Sequence, residues 1–319
     1  MSNFCGCVGN GNGNTGYVNK EGVLFKKTLA GYLMYTEDDD GNLNCINESD
    51  FVDGKLPASF INGKLRNADP SKRWYPITKL EQVTSVRGDR ALSTAETGVN
   101  QRTTAVAVRP FSAMVEYGGA VFMRNLNRFT CDQLSMFKVD LCGTLSGEVK
   151  RDDTTKLLPW QIAFGNWYPN MIWAEGDEKG MGNIQFEFDS SIDDLNEELV
   201  PAEYIEIDLT AQNGLRNVTQ SFSNIANTGF TVDLALEYGA FGQKCPQTGL
   251  VLADFVLYDV TADAPVAITG VTPTSVKGQY NITSAAMTAG NVMELRQAET
   301  TGVYDKPFEF IISQFTAVA

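Results

Sequence analysis

RTTAVAVRPFSAMVEYGGAVFMRNLNRFTCDQLSMFKVDLCGTLSG, residues 102–147, contains a strand, a short helix and a second strand in unbroken succession. Thr104, Val106 and Val108 alternate with residues of the opposite face, which is the period of a half-buried strand. Apolar residues then recur at helical spacing over 121–129, which predicts an amphipathic helix of two to three turns. Extended structure resumes after it. This block predicts a scaffold, and none of its side chains suggests a reactive group.

The residues on either side of this block define the rest of the predicted fold. Residues 1–20 are rich in Gly and Asn and are expected to form a flexible arm. Residues 190–199 predict a short capped helix. From about residue 205 the chain turns to evenly spaced strands, which predict a β-sandwich. These strands are expected at 204–209, 231–237, 249–260, 265–268, 278–283, 293–296 and 308–315.

The expected fold class is therefore mostly β with one or two short helices, in two domains after the arm. The first domain is expected at 21–205 and the β-sandwich at 206–319. A length of 319 residues is enough for two sizeable cores.

Composition excludes several kinds of chemistry. The chain has no histidine, so it lacks the commonest general base and the commonest metal ligand. Six scattered cysteines are too sparse for a disulfide framework, and Cys5 and Cys7 lack the further ligands that zinc needs. We expect no catalytic residue, no metal and no cofactor, and therefore no enzymatic activity. No apolar run approaches the roughly 20 residues of a membrane-spanning helix, and the N-terminus does not resemble a secretory signal.

Two local patterns have both a functional and a structural interpretation. The acidic turn at 37–42 resembles a calcium loop, but the Glu expected six residues after Gly41 is Asn47, which favours a hairpin turn. Three tryptophans within residues 160–173 could form a platform for sugars, although core or inter-subunit packing is the favoured interpretation. With the paired carboxylates of the chain, they keep a carbohydrate-binding or carbohydrate-cleaving β-sandwich open as an alternative.

Charge is distributed unevenly along the chain. The net charge is −14, and residues 175–208 contain 12 acidic side chains against a single Lys. Such a run is usually a solvated surface, and it does not offer the basic side chains that stable nucleic-acid binding needs.

A family resemblance emerges from several segments, QRTTAVAVRPFSAMV, CDQLSMFKVDLCGTLSGEV, LLPWQIAFGNWYPNMIW and GNIQFEFDSSIDDLNEELVP. Over about residues 50–205 the chain resembles ring- or tube-forming tail and connector proteins of tailed bacteriophages, including crAss-like and other phages of Bacteroidetes. The C-terminal segment is similar to immunoglobulin-like modules of phage tail proteins. This resemblance implies a tail-tube-like domain, a location in the virion after assembly in the host cytoplasm, and rings through which DNA passes.

From this resemblance we expect a structural protein whose partners are copies of itself and neighbouring virion proteins, with no membrane and no small-molecule substrate. The edge that joins the copies is expected at Thr104, Val106 and Val108. Glu187 and Asp189 are expected to form an acidic strip that faces the passing DNA without binding it. A double jelly-roll capsid subunit is a second alternative.

Overall fold

The computed structural model describes residues 25–88, 91–94, 101–105, 108–175, 179–240 and 243–318. The predicted arm at 1–20 and Val106 lie outside these residues. The first fourteen strands are β1 (Thr28–Tyr35), β2 (Ile46–Asn47), β3 (Tyr75–Ile77), β4 (Leu80–Thr84), β5 (Ala91–Thr94), β6 (Gln101–Ala105), β7 (Pro110–Val115), β8 (Leu134–Asp140), β9 (Leu145–Lys150), β10 (Asp153–Leu158), β11 (Trp160–Gln161), β12 (Tyr168–Ile172), β13 (Met181–Glu187) and β14 (Glu197–Val200). Two α-helices occur among the described residues, α1 (Ala58–Leu65) and α2 (Gly119–Leu126).

Most of these strands form two packed sheets. The larger has the order β2-β10-β9-β8-β1-β3, with β11 attached to β8 and β14 to β9. The smaller has the order β12-β13-β7-β4. Strand β8 is buried along its whole length, as expected of a strand covered on both faces. One of its faces contributes Phe137 and Val139 to a core around Trp74, and the other contributes Leu134 and Met136 to the core shared with the smaller sheet.

The remaining strands form a β-sandwich and a separate two-stranded hairpin within residues 299–304. They are β15 (Arg216–Ala226), β16 (Gly229–Ala240), β17 (Gln243–Pro246), β18 (Phe255–Asp259), β19 (Ala264–Val266), β20 (Ile268–Pro273), β21 (Gln279–Ser284), β22 (Val292–Gln297), β23 (Glu299–Thr300), β24 (Val303–Tyr304), β25 (Phe308–Phe310) and β26 (Gln314–Thr316). One sheet has the order β20-β21-β16-β15-β25 with β17 beside β16, and the other has the order β19-β18-β22-β26. The core between them is drawn entirely from Val218–Ala317.

The order of these strands is informative. If β15, β16, β18, β19, β20, β21, β22 and β26 are lettered A, B, C, C′, D, E, F and G, then A, B, E and D share one sheet while C′, C, F and G share the other. Strand β17 is an addition beside B. This is the distribution found in immunoglobulin-type sandwiches. The last strand is divided: β25 runs parallel to β15, and β26 then pairs with β22 across the sandwich. The mostly β fold with few short helices that the sequence predicts is confirmed.

The two packed sheets of β1–β4 and β7–β14 are called the first unit. The sandwich strands begin only at Arg216, because the segment before them packs against this unit. Ile205 and Leu209 belong to the core around Trp74, and the Tyr32 hydroxyl donates a 2.5 Å hydrogen bond to the Leu209 carbonyl. The strand predicted at 204–209 is not formed, since residues Ala202–Tyr204 and Leu209–Ala211 are short 3-10 turns.

The helix predicted at 190–199 is also wrong. Asp193 caps a single 3-10 turn by accepting a hydrogen bond from the Leu195 amide, and Glu197–Val200 continue as β14, paired with β9. Leu195 is 82% exposed while Ile192 is buried. The apolar spacing that mimics a helix therefore does not correspond to one buried face.

Candidate functional surfaces

The smaller sheet has one face in the core and one face turned outward. On β13, Ile184 and Phe186 are buried while Gln185 between them is exposed. Phe186 stacks on Phe111 of β7, with ring centroids 4.7 Å apart. The alternation of burial along β13 fixes which residues of its neighbours share each face.

The outward face is polar and lacks positive charge. Cross-strand pairing places its residues in two rows that run across the four strands. The first row is Tyr168, Gln185, Ser112 and Thr84, and the second is Asn170, Asn183, Met114 and Glu81. In the second row Asn183 is buried and Asn170 and Met114 are half-buried, so Glu81 is the exposed member of that row. Glu187 extends the face at the end of β13, opposite Pro110. Neither row contains Lys or Arg, and Glu81 and Glu187 give the face its formal charge.

The two carboxylates of the predicted acidic strip occupy different surroundings. Glu187 is the last residue of β13, whereas Asp189 lies beyond the strand end and donates its amide to the Gln161 carbonyl. The Asp189 carboxylate accepts a 2.8 Å hydrogen bond from the Ser191 amide. This interaction with Ser191 lowers the pKa of Asp189. Asp189 thus stabilises a turn, and Glu187 is the member of the pair that belongs to the outward face.

The outer edge of this sheet, strand β12, carries exposed aromatic side chains. Strand β12 pairs with β13 over five consecutive residues and has no partner on its other side among the described residues. Tyr168 at its start is 57% exposed, Trp173 just past its end is 82% exposed, and Phe164 in the preceding turn is 68% exposed. An unpaired strand edge with large exposed apolar side chains is a typical pairing site for another chain. The opposite edge, β4, is interrupted by a bulge with Gln82 at φ 49°.

The predicted edge strand lies on a separate hairpin. Thr104 belongs to β6, which pairs only with β5 among the described residues. Val108 is 37% exposed and follows the hairpin. The two ends of the hairpin are held by one carboxylate, because Asp194 forms ion pairs of 3.0 Å with Arg87 and 3.1 Å with Arg109.

The tryptophan and acidic-turn motifs have structural explanations. Trp160 and Trp167 are buried in the core of the first unit and only Trp173 is exposed, so the three do not form one platform. In the acidic turn, Asp38 accepts hydrogen bonds from the amides of Asp40 and Asn42. The described residues contain no group of three or more acidic or cysteine side chains suited to a metal ion.

The most polar interior cluster surrounds Lys138. Burial lowers the pKa of Lys138, although Glu197 opposes this from 3.6 Å. Glu197 also accepts a hydrogen bond from the Ser146 hydroxyl, which in turn accepts one from the indole of Trp160. Ser146 is fully buried, whereas the Glu197 side chain is 34% exposed, and the cluster joins strands β8, β9, β11 and β14.

A groove of about 910 Å³ lies where the two units meet. Its wall from the first unit contains Tyr75, Phe129 and the basic side chains Arg73 and Arg128. Residues 212–217 cross it, and the sandwich completes it. Its basic residues are far apart in the sequence, and no local pattern would have revealed it.

No protein-family model matches the chain, and no curated protein matches it. Among the described residues, no helix is both long and apolar enough to cross a membrane.

Proposed function

We propose that the protein is a structural subunit of a tailed-bacteriophage virion, and that its first unit assembles head to tail into rings through which DNA passes. The observation that carries this proposal is the smaller sheet. It combines a regular free edge at β12 with an outward face that lacks Lys and Arg. The first feature favours joining of copies, and the second suits a surface that DNA passes.

The contact that we propose joins β12 of one copy to the β5–β6 hairpin of the next. Different surfaces then meet at each contact, and a heterologous contact repeated by rotation closes into a ring.

The outward face of the smaller sheet would then line the channel. Screening limits the reach of each charge to about 8 Å at physiological salt, so only groups on this face affect a passing duplex. Polar amides, three hydroxyls and two carboxylates offer no cation to the phosphates, and counterion release cannot favour binding there.

The sheets of the first unit differ in strand number and order from those of the β-sandwich. A double jelly-roll capsid subunit is expected to contain two similar eight-stranded units, so this difference favours a ring subunit. The β-sandwich fits a module attached outside the ring.

Sedimentation of the full chain over a micromolar concentration range tests the proposal, combined with electron microscopy of the associated species. We expect closed rings of one size. A chain that stays monomeric at all concentrations, or that forms closed shells, would contradict the proposal.

A further inference from the structure

The groove between the two units has a lining with the chemistry of a ligand-binding site, and ring formation does not explain this lining. A volume of about 910 Å³ lies within the range of roughly 300–1,000 Å³ that is typical of such sites. Its residues come from distant parts of the chain, so the relative position of the two units creates it.

The floor of the groove is aromatic. Phe129 packs against Tyr75 with ring centroids 4.8 Å apart and against Tyr35 at 5.8 Å. All three side chains are half-buried. Tyr117 lies at the exposed rim with 61% of its surface accessible. Flat apolar rings with one polar end suit ligands that present an apolar face and hydroxyl groups together.

The groove is also positively charged in a strongly negative protein. Arg73, Lys79, Arg128 and Arg216 line it, and Glu309 is the one acidic side chain among the described residues of the lining. Arg73 already neutralises Glu309 through a 2.7 Å ion pair. In the described part of the chain the other three basic side chains form no ion pair, and Lys79 instead lies 4.9 Å from the centre of the Tyr117 ring. The exposed side chains of Lys79, Arg128 and Arg216 are therefore available to bind an anion.

The remaining polar lining consists of amides and a hydroxyl, including Asn125, Asn213, Asn217 and Thr78. The side-chain amides of Asn125 and Asn217 both donate to Glu237, and the side-chain oxygen of Asn125 is buried without a hydrogen-bond partner. Amides both donate and accept, which suits a ligand with many hydroxyl groups.

We propose that this groove binds an acidic oligosaccharide, with its carboxylates on Arg128, Arg216 and Lys79 and its ring faces on the aromatic floor. Guanidinium groups bind carboxylates through paired hydrogen bonds. A nucleic acid fits less well, because its binding needs a continuous basic path along the backbone, whereas the whole chain carries −14. Among its described lining residues the groove offers one carboxylate, Glu309, whereas glycoside cleavage needs two, so the proposed role is binding.

Isothermal titration of the full chain with tetragalacturonate, and with neutral maltotetraose as the matched uncharged sugar, tests this proposal. We expect tetragalacturonate to bind with a dissociation constant below about 1 mM and to weaken as salt is raised, and maltotetraose to bind at least about tenfold more weakly. The double variant Arg128→Gln with Arg216→Gln is expected to lose about tenfold in affinity.

Arg151→Gln is the matched control, because Arg151 is exposed in the turn between β9 and β10, outside the groove, and should leave binding unchanged. Absence of tetragalacturonate binding, equal binding of maltotetraose, or equal loss in the control overturns the proposal. Tighter binding of hexaglutamate or of a single-stranded oligonucleotide would also overturn it, by assigning the groove to a peptide or a nucleic acid. None of these outcomes depends on ring formation.

Discussion

The guanidinium group of Arg73 lies 2.7 Å from the carboxylate of Glu309, and this ion pair joins the first unit to the β-sandwich. The Arg73 side chain is only 6% exposed, whereas that of Glu309 is 25% exposed. Arg73 also donates to the carbonyls of Asn67 and Ala68. Burial lowers the pKa of Arg73, but the bond to Glu309 outweighs it and the net pKa is raised. The buried cation therefore depends on its partner across the unit boundary.

Glu309→Gln should lower the free energy of unfolding by about 2 kcal/mol, because it leaves a buried cation without its counter-charge. Urea denaturation measures this change. The matched control is Glu116→Gln, which removes a carboxylate of the same 25% exposure whose partner, Lys179, is 77% exposed. Glu116→Gln should lower the free energy of unfolding by less than about 0.5 kcal/mol. Equal costs for the two variants would show that the unit boundary does not depend on the Arg73 charge.

Glu237 links the same two units and should make the boundary sensitive to acid. Burial raises its pKa, but hydrogen bonds from Asn217 and Asn125 and the ion pair with Arg124 outweigh it, so the pKa lies below its usual value. A carboxylate whose pKa is lowered by folding stabilises the folded state above its unfolded pKa, and this contribution is lost as pH falls through the folded pKa.

The stability of the wild-type protein should therefore fall more steeply below about pH 4.5 than that of Glu237→Gln. Thermal unfolding at several pH values from neutral to acidic, for both proteins, measures the difference. If the two curves keep a constant separation through the acidic range, the link between Glu237 and acid sensitivity is wrong.

The β-sandwich should fold alone. Its core is drawn entirely from Val218–Ala317, and a unit with its own core can fold independently. A fragment of residues 213–319 should unfold in one cooperative transition by circular dichroism. A fragment of residues 229–319 is the control, because it lacks β15, which lies between β16 and β25. We expect no cooperative transition for it, and a failure of the longer fragment would show that the sandwich requires the first unit.

Sequence patterns predicted the elements in which burial is uniform or follows a regular period. Strand β8 and helix α2 lie where periodicity placed them. The helix predicted at residues 190–199 is wrong because a cap at Asp193 and pairing with β9 determine the conformation of this segment. The cap depends on a contact within a turn, and the pairing depends on a contact across a sheet. The groove could not be predicted, since Arg73, Arg128 and Arg216 come together only through the packing of the two units.

Trp173→Lys should weaken self-association if β12 is the joining edge. The side chain is 82% exposed, so the fold should be unaffected, and a Lys at a strand edge opposes pairing with another chain. We expect the dissociation constant from sedimentation to rise at least about tenfold, which corresponds to about 1.4 kcal/mol. Ile312→Lys is the control, since Ile312 is 70% exposed on the sandwich. If Ile312→Lys alone weakened association, the contact between copies would involve the sandwich and not β12.

Glu187 should keep the outward face of the smaller sheet from binding DNA. Replacing Glu81 and Glu187 together by Lys should leave folding almost unchanged, because Glu81 is exposed and Glu187 is half-buried at the strand end. In an assembled ring these lysines are repeated in every subunit, and each phosphate that they neutralise should steepen the salt dependence of DNA affinity by about 0.9 in log–log slope. Titration of duplex DNA at several salt concentrations measures this slope.

The matched control is Glu203→Lys, which adds a lysine at an exposed site in the 3-10 turn Ala202–Tyr204, outside the smaller sheet. A ring of the Glu203→Lys variant should bind DNA in its channel as weakly as a wild-type ring does. Genome ejection should slow only in virions with the Glu81 and Glu187 variants, since a channel that holds phosphates opposes the movement of the duplex. Normal ejection by these virions, or equal DNA binding by the control, would show that this face is a solvated surface away from the channel.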